Sequence, residues 1–392
     1  MREIAKILHK YSDTSKYKQG FIGQYIAQGV IQDKTISLLF CTVPDPLLFR
    51  VDQINTDFIE SNKKKHSKTF FKKLTDFCSS FNLNPSLTDN AVGKLANECS
   101  LICEKLSKQS SALENIIIEI ENELAVLDVP SRKGKSLKGD IARYCCNRWW
   151  NRKLSVIHKR NFEHIAQFLG QVNKQRNIYL SEYALNKIQQ KKKSRNTFLE
   201  TLLAINEQGD QHELVDFVES SLSCATNKIS ELLMRMVGTA QYAENKAYDA
   251  HLVTFLCPIE MKSSFDYGEM NDEYIKNSTL EAHKYLMKSW KNTRSALDKK
   301  EKDYFGFRVV EPCHDGSPHW HLLIYTSPQK SKFILEFLKE RMEKGYKFKN
   351  KKLQCSVQLE PIPNNDVAKV IKYLTKGIEG KINESDTKSE VA

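Results

Sequence analysis

From about residue 54 to residue 250, apolar side chains recur every three to four positions, as in "SALENIIIEIENELAVL", "HIAQFLGQVNKQ" and "ISELLMRMVGTAQYA", and proline is rare. That period places the apolar residues on one helix face, so 54–249 is predicted to be a mostly helical domain. Lysine clusters, "NKKKHSKTFFKKL" and "QQKKKSR", decorate it and make it basic. Residues 1–53 form a short N-terminal unit with one predicted strand, "TISLLFCTV", ahead of "PDPLL".

Near residue 250 the texture changes. "HLVTFLCP" reads as a strand ended by Pro258. "STLEAHKYLMKSWKNTRSALDKK" opens with Ser278 and Glu281 at capping-box spacing, and its apolar residues recur as on a helix. "YFGFRVVEP" and "HWHLLIYT" are two strands joined by a turn carrying Asp315 and Gly316, "SKFILEFLKERMEKG" is a helix closed by Gly345, "LQCSVQLEP" is a fourth strand, and "DVAKVIKYLTKG" is a last helix stopped by Gly377. The order strand, helix, strand, strand, helix, strand is that of a split βαβ sheet. The predicted fold class is therefore α+β, a ferredoxin-like antiparallel sheet over 250–380 preceded by the helical domain, with 381–392 as a polar tail. Helices should cover one sheet face and leave the other for a site.

Composition narrows the setting. No run approaches the roughly 18 apolar residues of a membrane-spanning helix, and "MREIAKILHKYSDTSKYK" has no apolar block of a secretory signal. The ten cysteines are scattered without a C-x-x-C pair, which suits reduced thiols in a cytoplasm. Sixty Lys and Arg against 48 Asp and Glu leave a net charge of +12, and the excess is uneven. Residues 131–160 carry ten Lys or Arg and one acid, Asp140. Such a stripe attracts polyanions, and Trp149 and Trp150 within it are of the type on which single-stranded bases stack. Arg148, Arg152 and Lys153 are the candidate phosphate contacts. A solvated basic face over a core tryptophan pair is the other reading of the same residues.

The densest chemistry lies in "EPCHDGSPHWHLLIYT", residues 311–326. Strand alternation sends His319, His321, Leu323 and Tyr325 to one face and Trp320, Leu322 and Ile324 to the helix-packed other. Glu311, eight positions before His319 on the preceding strand, joins the histidines on their face with any even hairpin register. One carboxylate and two neutral imidazoles are suitable ligands for a divalent cation, although His-x-His also occurs as a surface pair on a half-exposed strand. In the last helix, Val367, Val370, Ile371, Leu374 and Ile378 make one apolar stripe, and Tyr373 lies about 110° from its centre. A phenol flanked by Lys369 and Lys376 is favoured as phenolate and attracts phosphate, as a tyrosine nucleophile requires; a boundary tyrosine would sit there too.

Together these segments resemble a known family. "PHWHLLIY" is similar to the His-hydrophobe-His motif of HUH endonucleases, Glu311 stands at the third-ligand position of their Rep-type members, and "KYLTKGIEG" resembles their Tyr-x-x-Lys motif. "FRVVEPCHDGSPHWHLLIY", with "RYCCNRWWNRKL", "RNIYLSEYALNKIQQKKKSRNTFLE" and "HLVTFLCP" upstream, resembles the replication gene A proteins of tailed phages and prophages over roughly residues 140–380. The resemblance implies an HUH nuclease core and an enzyme that nicks and rejoins single-stranded DNA at a replication origin. Glu311, His319 and His321 would hold Mg²⁺ or Mn²⁺, and Tyr373 would form a 5′-phosphotyrosine. Lys376 would assist, Lys369 and Lys372 would meet the phosphate, and a host helicase and polymerase would follow in the bacterial cytoplasm, with no membrane involved. The family commonly has a second tyrosine four residues upstream, where this chain has Lys369. A relaxase or transposase shares the chemistry, but relaxases usually bring a third histidine where this chain has Glu311. A catalytically silent origin-binding remnant is the alternative outside catalysis.

Overall fold

The structure is a computed structural model. It describes residues 3–12, 43–61, 64–109, 112–127, 129–131, 134–173, 179–221, 224–264, 271–275, 279–363 and 367–371. The strand expected in "TISLLFCTV" and the capping serine Ser278 lie outside them. The chain divides into two compact units, Met1–Gln171 and Val172–Ala392.

The first unit is helical. It contains α1 (Glu3–Ser12), α2 (Asp45–Glu60), α3 (Lys64–Ser79), α4 (Asp89–Ser107), α5 (Leu113–Val126), α6 (Leu137–Tyr144) and α7 (Asn147–Phe168). Thr88 caps α4 by accepting from the Ala91 amide, and the apolar faces of α4, α5 and α7 meet in one core through Leu95, Cys99, Ile120, Leu124, Trp150 and Leu154. The Glu123 carboxylate on α5 accepts from the amides of Glu3 and Ile4 at 2.9 and 2.8 Å, closing the open end of α1 with a charge its dipole favours.

The second unit begins with α8 (Glu182–Glu200), a two-stranded hairpin of β1 (Leu203–Ile205) and β2 (Gln211–Glu213), α9 (Leu214–Ser220) and α10 (Ala225–Asn245). There follow β3 (Asp249–Leu256), α11 (Thr279–Leu297), β4 (Tyr304–Pro312), β5 (Pro318–Thr326), α12 (Pro328–Glu343), the small hairpin β6 (Tyr346–Phe348) and β7 (Lys351–Leu353), and β8 (Ser356–Ile362). Lys349 and Asn350 both have positive φ in the two-residue turn of that hairpin, the conformation whose twist matches its strands. The segment read as one fourth strand thus breaks at Gln354 and Cys355 and divides between β7 and β8.

Four strands form an antiparallel sheet in the order β4-β5-β3-β8. Trp320, Leu322 and Ile324 of β5, with Val253 and Phe255 of β3, pack against Tyr285 and Leu286 of α11 and Ile334 and Leu338 of α12. The opposite face was expected to stand open, and half of it does not. Leu323 and Tyr325 are buried there with Met236 and Ala243 of α10 and with Val367 and Ile371 from the helical residues 367–371. The reason is chemical: the odd positions of β5 become apolar after His321, and a two-sided apolar strand end needs cover on both sides.

Candidate metal centre

β4 and β5 are joined by a five-residue loop, Cys313–Ser317, which pairs Pro312 with Pro318, Glu311 with His319 and Val309 with His321. Directly paired residues share a face, so the carboxylate and both imidazoles project together from the sheet face opposite α11 and α12. The loop is held by Asp315, whose carboxylate accepts from the Ser263 amide at 2.8 Å, the Ser317 amide at 2.9 Å and the Ser317 hydroxyl at 2.6 Å. Gly316 takes φ +78°, where a glycine is strain-free, and its amide donates to the Cys313 carbonyl.

Nε2 of His319 and Nε2 of His321 stand 3.0 Å apart, and they lie 3.4 and 3.5 Å from Oε2 of Glu311. Glu311 and His321 are buried and His319 is nearly so. Three donors about 2.0–2.2 Å from one cation and at right angles to one another lie roughly 3 Å apart, so this triangle fits one face of an octahedron. Among the described residues these are the His, Cys, Asp or Glu groups close enough to hold one ion. The remaining ring nitrogens are engaged: Nδ1 of His321 meets Thr254 Oγ1 on β3 at 2.9 Å, and Nδ1 of His319 meets Cys313 Sγ at 3.4 Å. Such outer partners fix ring orientation and tautomer, leaving the Nε2 lone pairs for the cluster.

Charges within the cluster compensate one another. Burial would raise the Glu311 carboxyl, but the hydrogen bonds and charge of His319 and His321 outweigh it and hold it at about 2. Burial would lower His319, yet its contacts with Cys313 and Glu311 bring it up to about 9. A proton therefore sits among three ligand atoms beside an ionised carboxylate, the place where a divalent cation would be taken up in exchange.

A sequence profile for the bacteriophage replication gene A protein matches residues 61–385, most of the chain and all of this site. The chain belongs to this family. It is 26% identical over 362 residues to a probable replication protein of Pseudoalteromonas phage PM2, a match covering 88% of this chain and 55% of that one. It is 25% identical over 248 residues to the replication gene A protein of Escherichia phage 186, covering 62% and 36%, and 28% identical over 256 residues to a probable replication endonuclease from a prophage-like region of Shigella boydii, covering 62% and 31%. The chain thus spans about half the length of the first relative and about a third of the other two. No solved structure matches it.

Four of the other expected site residues fall within the described residues. Lys369 is exposed on the helical residues 367–371, while Lys372, Tyr373 and Lys376 lie outside the described residues. In the first unit, Arg148 and Arg152 are exposed on α7 and Lys153 lies over the Trp149 ring at 5.7 Å. The tryptophans themselves are not a stacking platform. Trp150 is fully buried with its indole N–H donating to the Tyr144 carbonyl at 2.7 Å, and Trp149 packs edge-on against it. Arg148 and Arg152 fall on the exposed side of α7, and the face that carries the rings went into the core. Thr254 and Cys313 are site residues that the sequence did not single out. A lone hydroxyl within "HLVTFLCP" was the available signal for Thr254, but its neighbour became visible only with the pairing of Thr254 and His321 across β3 and β5.

Proposed function

We propose that the chain is an HUH-type endonuclease that nicks and rejoins single-stranded DNA at a replication origin. The observation that carries this reading is the convergence of Glu311, His319 and His321 on one sheet face, at separations suited to one cation. The strand order, with the first strand between the third and the fourth, supports assigning 250–380 as a ferredoxin-like nuclease domain.

In this reading the three residues hold Mg²⁺ or Mn²⁺. Bound there, the ion supplies polarisation of the scissile phosphate and neutralisation of its developing charge. The Tyr373 oxygen, having given up its proton, attacks the phosphorus. The bond to the 3′-oxygen breaks, that oxygen takes a proton, and a 5′-phosphotyrosine remains. Lys376 and Lys372 steer the phosphate. One phosphodiester is exchanged for another, so the 3′-hydroxyl can reverse the step without ATP or prime a polymerase for rolling-circle replication, with a host helicase opening the duplex ahead. Val367 and Ile371, six and two positions before Tyr373 in the sequence, pack on the sheet face that bears the ligands. Because Lys369 replaces the second tyrosine, a single nucleophile is expected.

Incubation with single-stranded origin oligonucleotides and Mn²⁺ should give a covalent adduct on a denaturing gel, mapped to Tyr373 and lost in Tyr373→Phe. An adduct on another tyrosine, or one that survives that substitution, would overturn the assignment.

A further inference from the structure

In the second unit α8 buries none of its 19 residues, and neither does the seven-residue α9. Between residues 183 and 199 it carries five Lys or Arg and no acid. Helices in folded proteins are held mainly by a packed apolar face, and like charges one turn apart weaken them. Here Lys187, Lys191 and Arg195 follow one another at i, i+4 and i+8, with Phe198 on the same side within about 80° of arc. Leu185, Asn196 and Leu199 on the opposite side are half-buried, as are Tyr183 and Ala184 in the first turn. Phe198 is 61% exposed and Ile188, flanking the stripe, 57% exposed. Large apolar side chains interleaved with a run of cations on an outward face match a ligand that offers both phosphates and apolar ring faces.

We propose that this stripe of α8 binds single-stranded DNA, with Lys187, Lys191 and Arg195 on successive phosphates and Phe198 beneath an unpaired base. Charge complementarity selects a polyanion, and the exposed phenyl ring selects the unpaired strand, because duplex DNA keeps its base faces stacked inside. The inference rests on the reading of the protein as a single-strand nicking enzyme, but it concerns grip on the strand and not cleavage. The polyanion also relieves the repulsion within the stripe.

The test uses the full chain, a labelled 30-nucleotide oligo-dT and chelator, with binding followed by fluorescence anisotropy across a salt series. A Lys187→Gln, Lys191→Gln, Arg195→Gln variant, which keeps good helix formers, should bind about tenfold more weakly near 0.1 M salt. Its log affinity against log salt should flatten by roughly two units, at about 0.7 for each phosphate no longer neutralised. Phe198→Ala should lower affinity several-fold at unchanged slope, since stacking releases no counterions. Lys191→Gln alone should give about a third of the triple variant's slope change, a check against any folding defect in the triple. An unchanged slope in both charge variants overturns the proposal, and so does a larger loss on blunt duplex than on oligo-dT. The adduct assay is read separately, so absence of an adduct in wild type would sink the nicking reading while leaving the slope measurement standing.

Discussion

His319 and Glu311 hold opposite charges in a buried place, and each stabilises the other. Glu311 is depressed to about 2 from 4.5, so its contribution is present above 4.5 and is lost as pH falls through 2. His319 is raised to about 9 from 6.5, so its contribution is complete below 6.5 and is lost as pH rises through 9. In chelator, the melting temperature should therefore fall by roughly 5 °C between pH 6.5 and 9.5. With saturating Mn²⁺ that fall should disappear, because the cation replaces the proton the alkaline solution removes. Calorimetric titration in buffers of different ionisation enthalpy should show about one proton released per Mn²⁺ bound at pH 7. No proton release, or the same alkaline loss with and without the ion, would remove the cation from this cluster.

Among the elements, the β4–β5 hairpin is what converts sequence spacing into a site. Its five-residue loop sets Glu311 opposite His319, and a loop one residue shorter or longer would turn one strand over. Asp315 fixes that loop by accepting three hydrogen bonds, one of them from Ser263 in the segment after β3. Asp315→Ala would orphan two amides in a buried loop, at about 1–3 kcal/mol each if water does not reach them. The variant should melt several degrees lower and bind Mn²⁺ at least fivefold more weakly, read by melting curves and titration. Asp315→Asn, which keeps an acceptor oxygen, should recover part of both. A variant with a lowered melting point but unchanged Mn²⁺ affinity would show that the ligands hold their register without the loop.

Over the molecule as a whole, positive charge is concentrated in patches, and the first unit carries one on the exposed side of α7. Exchange of Arg148, Arg152 and Lys153 for glutamine should reduce the salt dependence of single-strand binding by about 0.7 units for each phosphate no longer neutralised. Trp149→Phe beneath them should change stability and leave the salt slope alone, since the ring packs in the core. A salt slope unchanged by the triple exchange would make this a solvated face. Among the described residues no helix is long and apolar enough to cross a membrane. Surface charge of one sign, gathered in this way, raises the rate at which a polyanion is encountered.

Three things could be read from residue order: the succession strand, helix, strand, strand, helix from β3 to α12, the side of β5 to which each histidine belongs, and membership of a replication family through blocks spread over most of the chain. These are local properties: alternation on a strand, apolar period on a helix and motif spacing all act within a few residues. The burial of Trp149 and Trp150, the cover of Leu323 and Tyr325 by α10, and the partnership of Thr254 with His321 emerge only in the folded chain. The periodicity of α7 shows that it has an apolar face but not whether the tryptophans' side will meet another helix or a ligand. Likewise β3 enters the sheet between β5 and β8, a pairing across more than sixty residues of chain. Local pattern cannot fix such pairings, because the energy that selects them comes from burying faces that only meet once the chain has folded.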